Sequence, residues 1–165
     1  MALKTGVKQL VAAANARIIT IPVEEAKALL GNPDVQFVDI RDVRELEREG
    51  TLPGAFHAPR GMLEFWVDPE IPYFKPVFGE DKRFILFCQS AWRSALATAA
   101  LQDMGMDNIA HVEGGFSAWK VAGGQTEERS KPNRPLATLL ADMPNVGDDH
   151  DFSRVQEHRT TRVSD

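Results

Sequence analysis

Short apolar runs closed by a turn or a cap alternate with segments of helical period from residue 17 to residue 124, and few architectures accept that rhythm. Strands are predicted over 17–20, 35–39, 55–57, 83–87 and 109–111. Helices are predicted over 23–30, 42–49, 92–104 and 116–122. Pro22 suits the first helix start, and Gly31-Asn32-Pro33 stops that helix. In the helix that begins near Trp92, residues Leu96, Ala97, Ala100, Leu101 and Met104 form the expected buried stripe, with Gly105 as its stop. Such an order predicts an α/β fold with a largely parallel sheet covered on both faces.

The ends of the chain break the rhythm. Leu3, Val7, Leu10, Val11 and Ala14 share the spacing of one helical face, with Lys4 and Lys8 opposite, so residues 1–16 read as a helical extension packed on its own domain. After Gly124 the composition shifts to charge, Pro and Ser, which makes 125–165 a polar tail. Within it Leu136, Leu139, Leu140 and Met143 have the spacing of a short docking helix over 135–143. Residues 145–165 carry little apolar surface to offset the entropy of ordering. Asp148-Asp149-His150-Asp151 reads as a solvated acidic stretch rather than a ligand set, so neither a metal nor a cofactor is expected.

A length of 165 residues supports one domain with a sizeable core plus extensions. The formal net charge of −5 and the lack of a long basic run argue against nucleic acid as the main partner. No apolar window is long enough to span a bilayer. Ala14-Asn15-Ala16 resembles a cleavage site, but the apolar stretch before it is too short for a secretory signal. A cytoplasmic protein is the expectation.

Cys88 is the single cysteine, so no internal disulfide can form, and the chain reads as built for a reducing compartment or as indifferent to oxidation. It stands where the apolar run Arg83–Phe87 gives way to Gln89-Ser90-Ala91-Trp92-Arg93-Ser94 and a helix start. A free cysteine is most often a small buried hydrophobe. This one lies at the carboxyl end of a strand, where open α/β sheets bind ligands. Helix N–H groups and the helix dipole favour negative charge there, which pushes a thiol toward the nucleophilic thiolate. Arg93 is the candidate anion anchor, since a guanidinium matches oxyanions in fork geometry.

Other segments read as scaffold. Asp39 and Arg41, on opposite faces if both are extended, are expected to separate: Asp39 to loop N–H groups, Arg41 to a helix carboxylate such as Glu45. Pro53-Gly54 is a turn, and Gly114-Gly115 lets backbone come close to another element before Trp119 packs. Between Pro59 and Pro76, Phe65, Trp66, Tyr73 and Phe74 sit among prolines. That segment fits either a hydrophobic wall over the site or a satellite core under a long loop.

Taken in order, Asp39-Ile40-Arg41, the run from Gly50 to His57, the loop from Cys88 to Arg93, and Gly114-Gly115-Phe116-Ser117-Ala118-Trp119 make the chain resemble the single-domain rhodanese (sulfurtransferase) family over about residues 17–124. The resemblance implies a three-layer α/β/α fold with a central, mainly parallel sheet of about five strands. It also implies a reaction: Cys88 takes a sulfane sulfur from a donor such as thiosulfate and carries it as a persulfide to a thiophilic acceptor. Gln89, Ser90, Ala91, Trp92, Arg93 and Ser94 would bind substrate, their N–H groups forming a nest for the anionic sulfur. Without a second cysteine the acceptor comes from outside, as cyanide, a small thiol or a protein thiol. Two positions depart from the common pattern: Gln89 replaces a basic residue, and Ala91 replaces a glycine, at a strain of about 1 kcal/mol if φ is positive. Trp92 adds an apolar rim. Rival readings are a phosphatase or arsenate reductase, whose related loop has five residues before the Arg where this one has four, and a partner-binding module with little activity.

Overall fold

The structure, a computed structural model, describes residues 3–129. The helix expected at 135–143 and the acidic stretch at 148–151 lie outside the described residues. The elements run α1 Val7–Asn15, β1 Thr20–Ile21, α2 Val23–Ala28, β2 Val35–Asp39, α3 Val43–Glu49, β3 Phe56–His57, α4 Leu63–Val67, β4 Arg83–Phe87, α5 Trp92–Asp103, β5 Ile109–Val112 and α6 Gly115–Val121. Five strands form one sheet in the order β1-β5-β4-β2-β3, and every pairing is parallel. The predicted α/β layering is what the chain builds. No helix among the described residues is long and apolar enough to cross a membrane.

Side-chain alternation along the strands divides the core. Phe84 and Leu86 of β4 face one side with Val38, Ile109, Leu63, Ala97 and Leu101. Ile85 and Phe87 face the other with Phe37, Ala110, Val112, Ala26, Phe116 and Trp119. Strands buried on both faces read as near-continuous apolar runs, and Phe84-Ile85-Leu86-Phe87 does so.

Three details differ from the sequence reading. First, α1 buries only Val11 and Ala14, while Leu3, Val7 and Leu10 stay exposed. Its inner face meets Ala95 and Ala99, so α5 is packed on two sides. This second contact widens the buried surface of α5: Ala97 and Leu101 of the predicted stripe are buried, Leu96 and Ala100 are partly buried and Met104 is exposed, while Ser94, Ala95, Thr98 and Ala99 are buried in addition. Second, the aromatic segment holds a short helix, α4, and joins the core. Trp66 and Phe74 pack against the Phe84 side, and Phe56 meets Trp66 and Phe78 edge-on at 6.2 and 5.7 Å. Third, the chain stays paired with the domain beyond Gln125, because Thr51 and Glu127 exchange two backbone hydrogen bonds of 2.9 Å.

Candidate active site

Cys88 follows β4 directly and is 1% exposed. The loop after it turns sharply into α5, and Ala91 makes the turn with φ +68° and ψ −15°, the only positive φ on a non-glycine among the described residues. The sequence expectation of a left-handed alanine is therefore met, with its cost of about 1 kcal/mol. The first α5 hydrogen bond runs from the Ala95 N–H to the Ala91 carbonyl, 2.8 Å. Trp92, Arg93 and Ser94 are left with N–H groups that have no carbonyl within the helix.

A second helix end clamps the loop from behind. At the start of α6, the Phe116 N–H donates to the Cys88 carbonyl (2.8 Å) and the Ser117 N–H to the Gln89 carbonyl (3.0 Å). Gly115, at φ +64°, makes this approach possible: a Cβ there would collide with the Cys88 carbonyl oxygen and lie 2.9 Å from the Ala91 nitrogen. The close backbone approach expected of Gly114-Gly115 is thus made against the cysteine loop itself.

The side chains divide by direction. Arg93 donates from Nη1 and Nη2 to Glu45 Oε2 and Oε1 at 2.7 and 2.8 Å, a bidentate pair. Glu45 also accepts the Asp42 N–H at 3.0 Å, closing a capping box at the start of α3. The Arg93 guanidinium holds the Glu45 carboxyl below its usual range. In return Glu45, and in smaller part the Cys88 sulfur, hold Arg93 more firmly protonated. Gln89 turns inward: its Oε1 accepts from Arg41 (3.2 Å), and its Nε2 donates to Glu49 (3.2 Å) and to Ser117 Oγ (3.1 Å). Lys120, 2.7 Å from Glu49, is the main reason that carboxyl titrates at about 2. The Ser94 hydroxyl donates to the Ala91 carbonyl (3.0 Å) and sits 3.2 Å from His111 Nδ1. Ser90 and Trp92 are exposed, Trp92 46% so.

Asp39 and Arg41 do not separate as expected. Arg41 lies beyond the end of β2, where strand alternation no longer applies, and folds back to bond Asp39 through Nε and Nη2 at 3.0 and 2.7 Å. Its guanidinium lies 3.9 Å from the centre of the Phe116 ring. Asp39 does accept a loop N–H, that of Arg41 itself, at 3.1 Å. Glu45, proposed from sequence as the partner of Arg41, belongs to Arg93 instead.

Residues 22–122 match the rhodanese-like domain family, which is more than half of the chain. The chain belongs to that family. A solved protein of unknown function from Rhodopseudomonas palustris, described as a possible tyrosine phosphatase, is 50% identical over 77% of this chain and 98% of its own, with a TM-score of 0.75. Human thiosulfate:glutathione sulfurtransferase is 27% identical over 61% of this chain and 91% of its own length. A tRNA uridine(34) hydroxylase from Albidiferax ferrireducens is 33% identical over 56% of this chain, which spans 30% of that longer protein.

Some parts of this rhodanese-like domain were not picked out by sequence reasoning as parts of the site: Glu45 as the partner of Arg93, Glu49, Thr51, His111 and the Ser117 hydroxyl. Asp42-Val43-Arg44-Glu45 carries a capping-box signal that places Glu45 on the first turn of α3, though not its reach to α5. His111 occupies a strand position of the same parity as the apolar Ile109, and a polar residue in a buried strand is a signal in itself.

Proposed function

We propose that this rhodanese-like domain is a sulfurtransferase that moves a sulfane sulfur from a donor, thiosulfate being the simplest, to a thiophilic acceptor through a persulfide on Cys88. The observation that carries this reading is the loop itself: one thiol at a strand end, a four-residue turn with Ala91 left-handed, and Arg93 within electrostatic reach of the sulfur. The thiolate attacks the outer sulfur of thiosulfate. A new S–S bond forms on Cys88, the old one breaks, and sulfite leaves with the electron pair. N–H groups of residues 89–94 hold the persulfide anion in place of a metal. An acceptor thiolate or cyanide then attacks the outer sulfur and restores the Cys88 thiolate.

The surroundings sort the candidate residues into roles. Ser90, Ala91, Trp92, Arg93 and Ser94 serve through backbone N–H groups, Arg93 also through charge, and Trp92 as the apolar rim. Gln89 acts from behind, since its side chain points to Arg41, Glu49 and Ser117. Asp39 and Arg41 brace the floor of the loop. The acceptor comes from solution or from another protein because no second thiol exists in the chain. A lone, unpaired cysteine suits a reducing compartment such as the cytoplasm.

The description of the Rhodopseudomonas protein as a possible phosphatase favours a second reading, phosphate ester cleavage by the same cysteine. Four residues between Cys88 and Arg93 make a ring that suits one sulfur atom better than a phosphate. Intact-mass measurement after incubation with thiosulfate or a small persulfide separates the readings. Wild type is expected to gain one sulfur atom and Cys88→Ser none. Phosphate release from an aryl phosphate without sulfur gain would establish the phosphatase instead. Absence of both activities would leave a partner-binding domain.

A further inference from the structure

β5 reaches the cysteine loop from two directions. Its carboxyl end runs into Gly114 and Gly115, which bring α6 against the loop from behind. His111 comes in from the side. It shares its face of the sheet with Ile109, the face covered by Ala97 and Leu101 of α5, so its buried ring lies beneath the start of that helix. There Nδ1 is 3.2 Å from the hydroxyl oxygen of Ser94, which is buried as well. Strand register sets Thr20 of β1 beside His111, with Thr20 Oγ1 2.9 Å from Nε2. Ser94 Oγ is in turn 3.0 Å from the Ala91 carbonyl oxygen. Thr20, His111, Ser94 and Ala91 thus form one line, from an exposed strand edge to the left-handed residue of the loop.

One placement of protons makes every contact in this line a hydrogen bond. Burial keeps His111 neutral above about pH 4, so its ring carries one N–H, and Ser94 carries one O–H. A ring proton on Nε2 would require Ser94 to donate to Nδ1, leaving the Ser94 and Ala91 oxygens facing each other at 3.0 Å with no proton between them. A ring proton on Nδ1 lets His111 donate to Ser94 and Ser94 donate to Ala91. Thr20, at the exposed end, turns its hydroxyl to donate to the bare Nε2.

The last acceptor in the line matters because a peptide unit is planar and trans. The Ala91 carbonyl points into α5, where the Ala95 N–H also meets it at 2.8 Å, so the Trp92 N–H of the same peptide points the opposite way, into the loop. A left-handed alanine persists only where its surroundings hold it from more than one side. The start of α6 holds the Cys88 and Gln89 carbonyls, and Ser94 holds the Ala91 carbonyl from across the turn.

We propose that His111 is a positioning residue of the sulfur site: as the Nδ1–H tautomer it orients Ser94, which fixes the Ala91 carbonyl and so aims the Trp92 N–H at the anionic sulfur of Cys88. The proposal rests on the reading of Cys88 as a sulfur carrier.

Two readouts distinguish this from a packing role. Nitrogen NMR of the full chain near neutral pH is expected to show the histidine whose signals vanish in His111→Asn with its proton on Nδ1 and a bare Nε2. A proton on Nε2 overturns the proposal, even if no variant folds. The second readout is sulfur loading from thiosulfate, followed by rapid-quench intact mass over a range of concentrations. Asparagine places an amide N–H where Nδ1 stands, and glutamine places its amide where Nε2 stands. His111→Asn is expected to load within about threefold of wild type. His111→Gln is expected to load about tenfold more slowly at saturation with the half-saturating concentration unchanged, because Arg93 is untouched. Ser94→Ala is expected to behave like His111→Gln, and combining the two to slow loading by no more than about twofold further, as for residues acting in one line. A folded His111→Asn as slow as His111→Gln, or additive losses in the double variant, overturns the action of His111 through Ser94. A wild type that takes up no sulfur from thiosulfate or a small persulfide overturns the carrier reading instead, a result distinct from the wrong tautomer.

Discussion

Arg41 Nη2 lies 2.7 Å from Asp39 Oδ2 with both side chains fully shielded from solvent. The pair is tolerated because its remaining polar atoms are also matched: Thr51 Oγ1 donates to Asp39 at 2.7 Å, and Arg41 donates to the Gly50 carbonyl at 2.7 Å. Buried pairs of this kind cost desolvation, so their importance appears when one partner is removed. Asp39→Ala is expected to destabilise the domain by about 3–5 kcal/mol, leaving a buried cation without its carboxylate. Urea unfolding measures the loss, and a change under 1 kcal/mol would mean that water reaches Arg41.

Ala91 holds a backbone conformation that glycine adopts freely. Ala91→Gly relieves the left-handed strain but adds freedom to the unfolded chain, so the net gain is expected to be at most about 1 kcal/mol. A higher unfolding midpoint confirms the geometry. A lower one would show that Ala91 is not left-handed in solution.

Gly115 has the opposite sensitivity. Gly115→Ala drives a methyl group into the Cys88 carbonyl and is expected to cost more than about 2 kcal/mol, with loss of sulfur loading. Gly114→Ala meets Ala118 instead, at 2.5 Å, and is the comparison. Equal loading by wild type and Gly115→Ala would refute the clamp between α6 and the loop.

The buried His111 adds a pH dependence with a fixed sign. Burial lowers its folded pKa to about 4, against about 6.5 in an unfolded chain. Between those values the unfolded state binds the extra proton, so the stability present above pH 6.5 is lost as pH falls toward 4. For His111→Gln, which cannot take that proton, the difference in unfolding free energy between pH 7.5 and pH 4.5 is expected to shrink by about 2–3 kcal/mol. An unchanged difference would place the titration elsewhere.

Arg93→Ala deletes the cation beside Cys88 and leaves Glu45 facing the loop. Loading is expected to slow by about 10²-fold, while stability changes by less than about 1 kcal/mol because Arg93 is 42% exposed. Wild-type loading kinetics in this variant would remove Arg93 from the reaction.

Much of this arrangement was legible before any coordinates. The continuous apolar run Phe84-Ile85-Leu86-Phe87 places the central strand, the lone Cys88 marks the loop, and a left-handed Ala91 follows from where a glycine is usual. What the sequence concealed are contacts made beyond the ends of regular elements. Arg41 escapes strand alternation by one turn of chain, and Glu45 reaches Arg93 from another helix, 48 residues away. Neither partner can be chosen by spacing, because both pairings depend on how α3 and α5 are set against the sheet.

α1 presses Val11 and Ala14 onto Ala95 and Ala99, on the same helix that springs from the cysteine loop. The shared family segment begins only at residue 22. The border of the family match and the border required by folding therefore differ: a chain cut at the first would bare a strip of alanine methyl groups within a turn of the reactive loop, and invite a foreign surface to cover it.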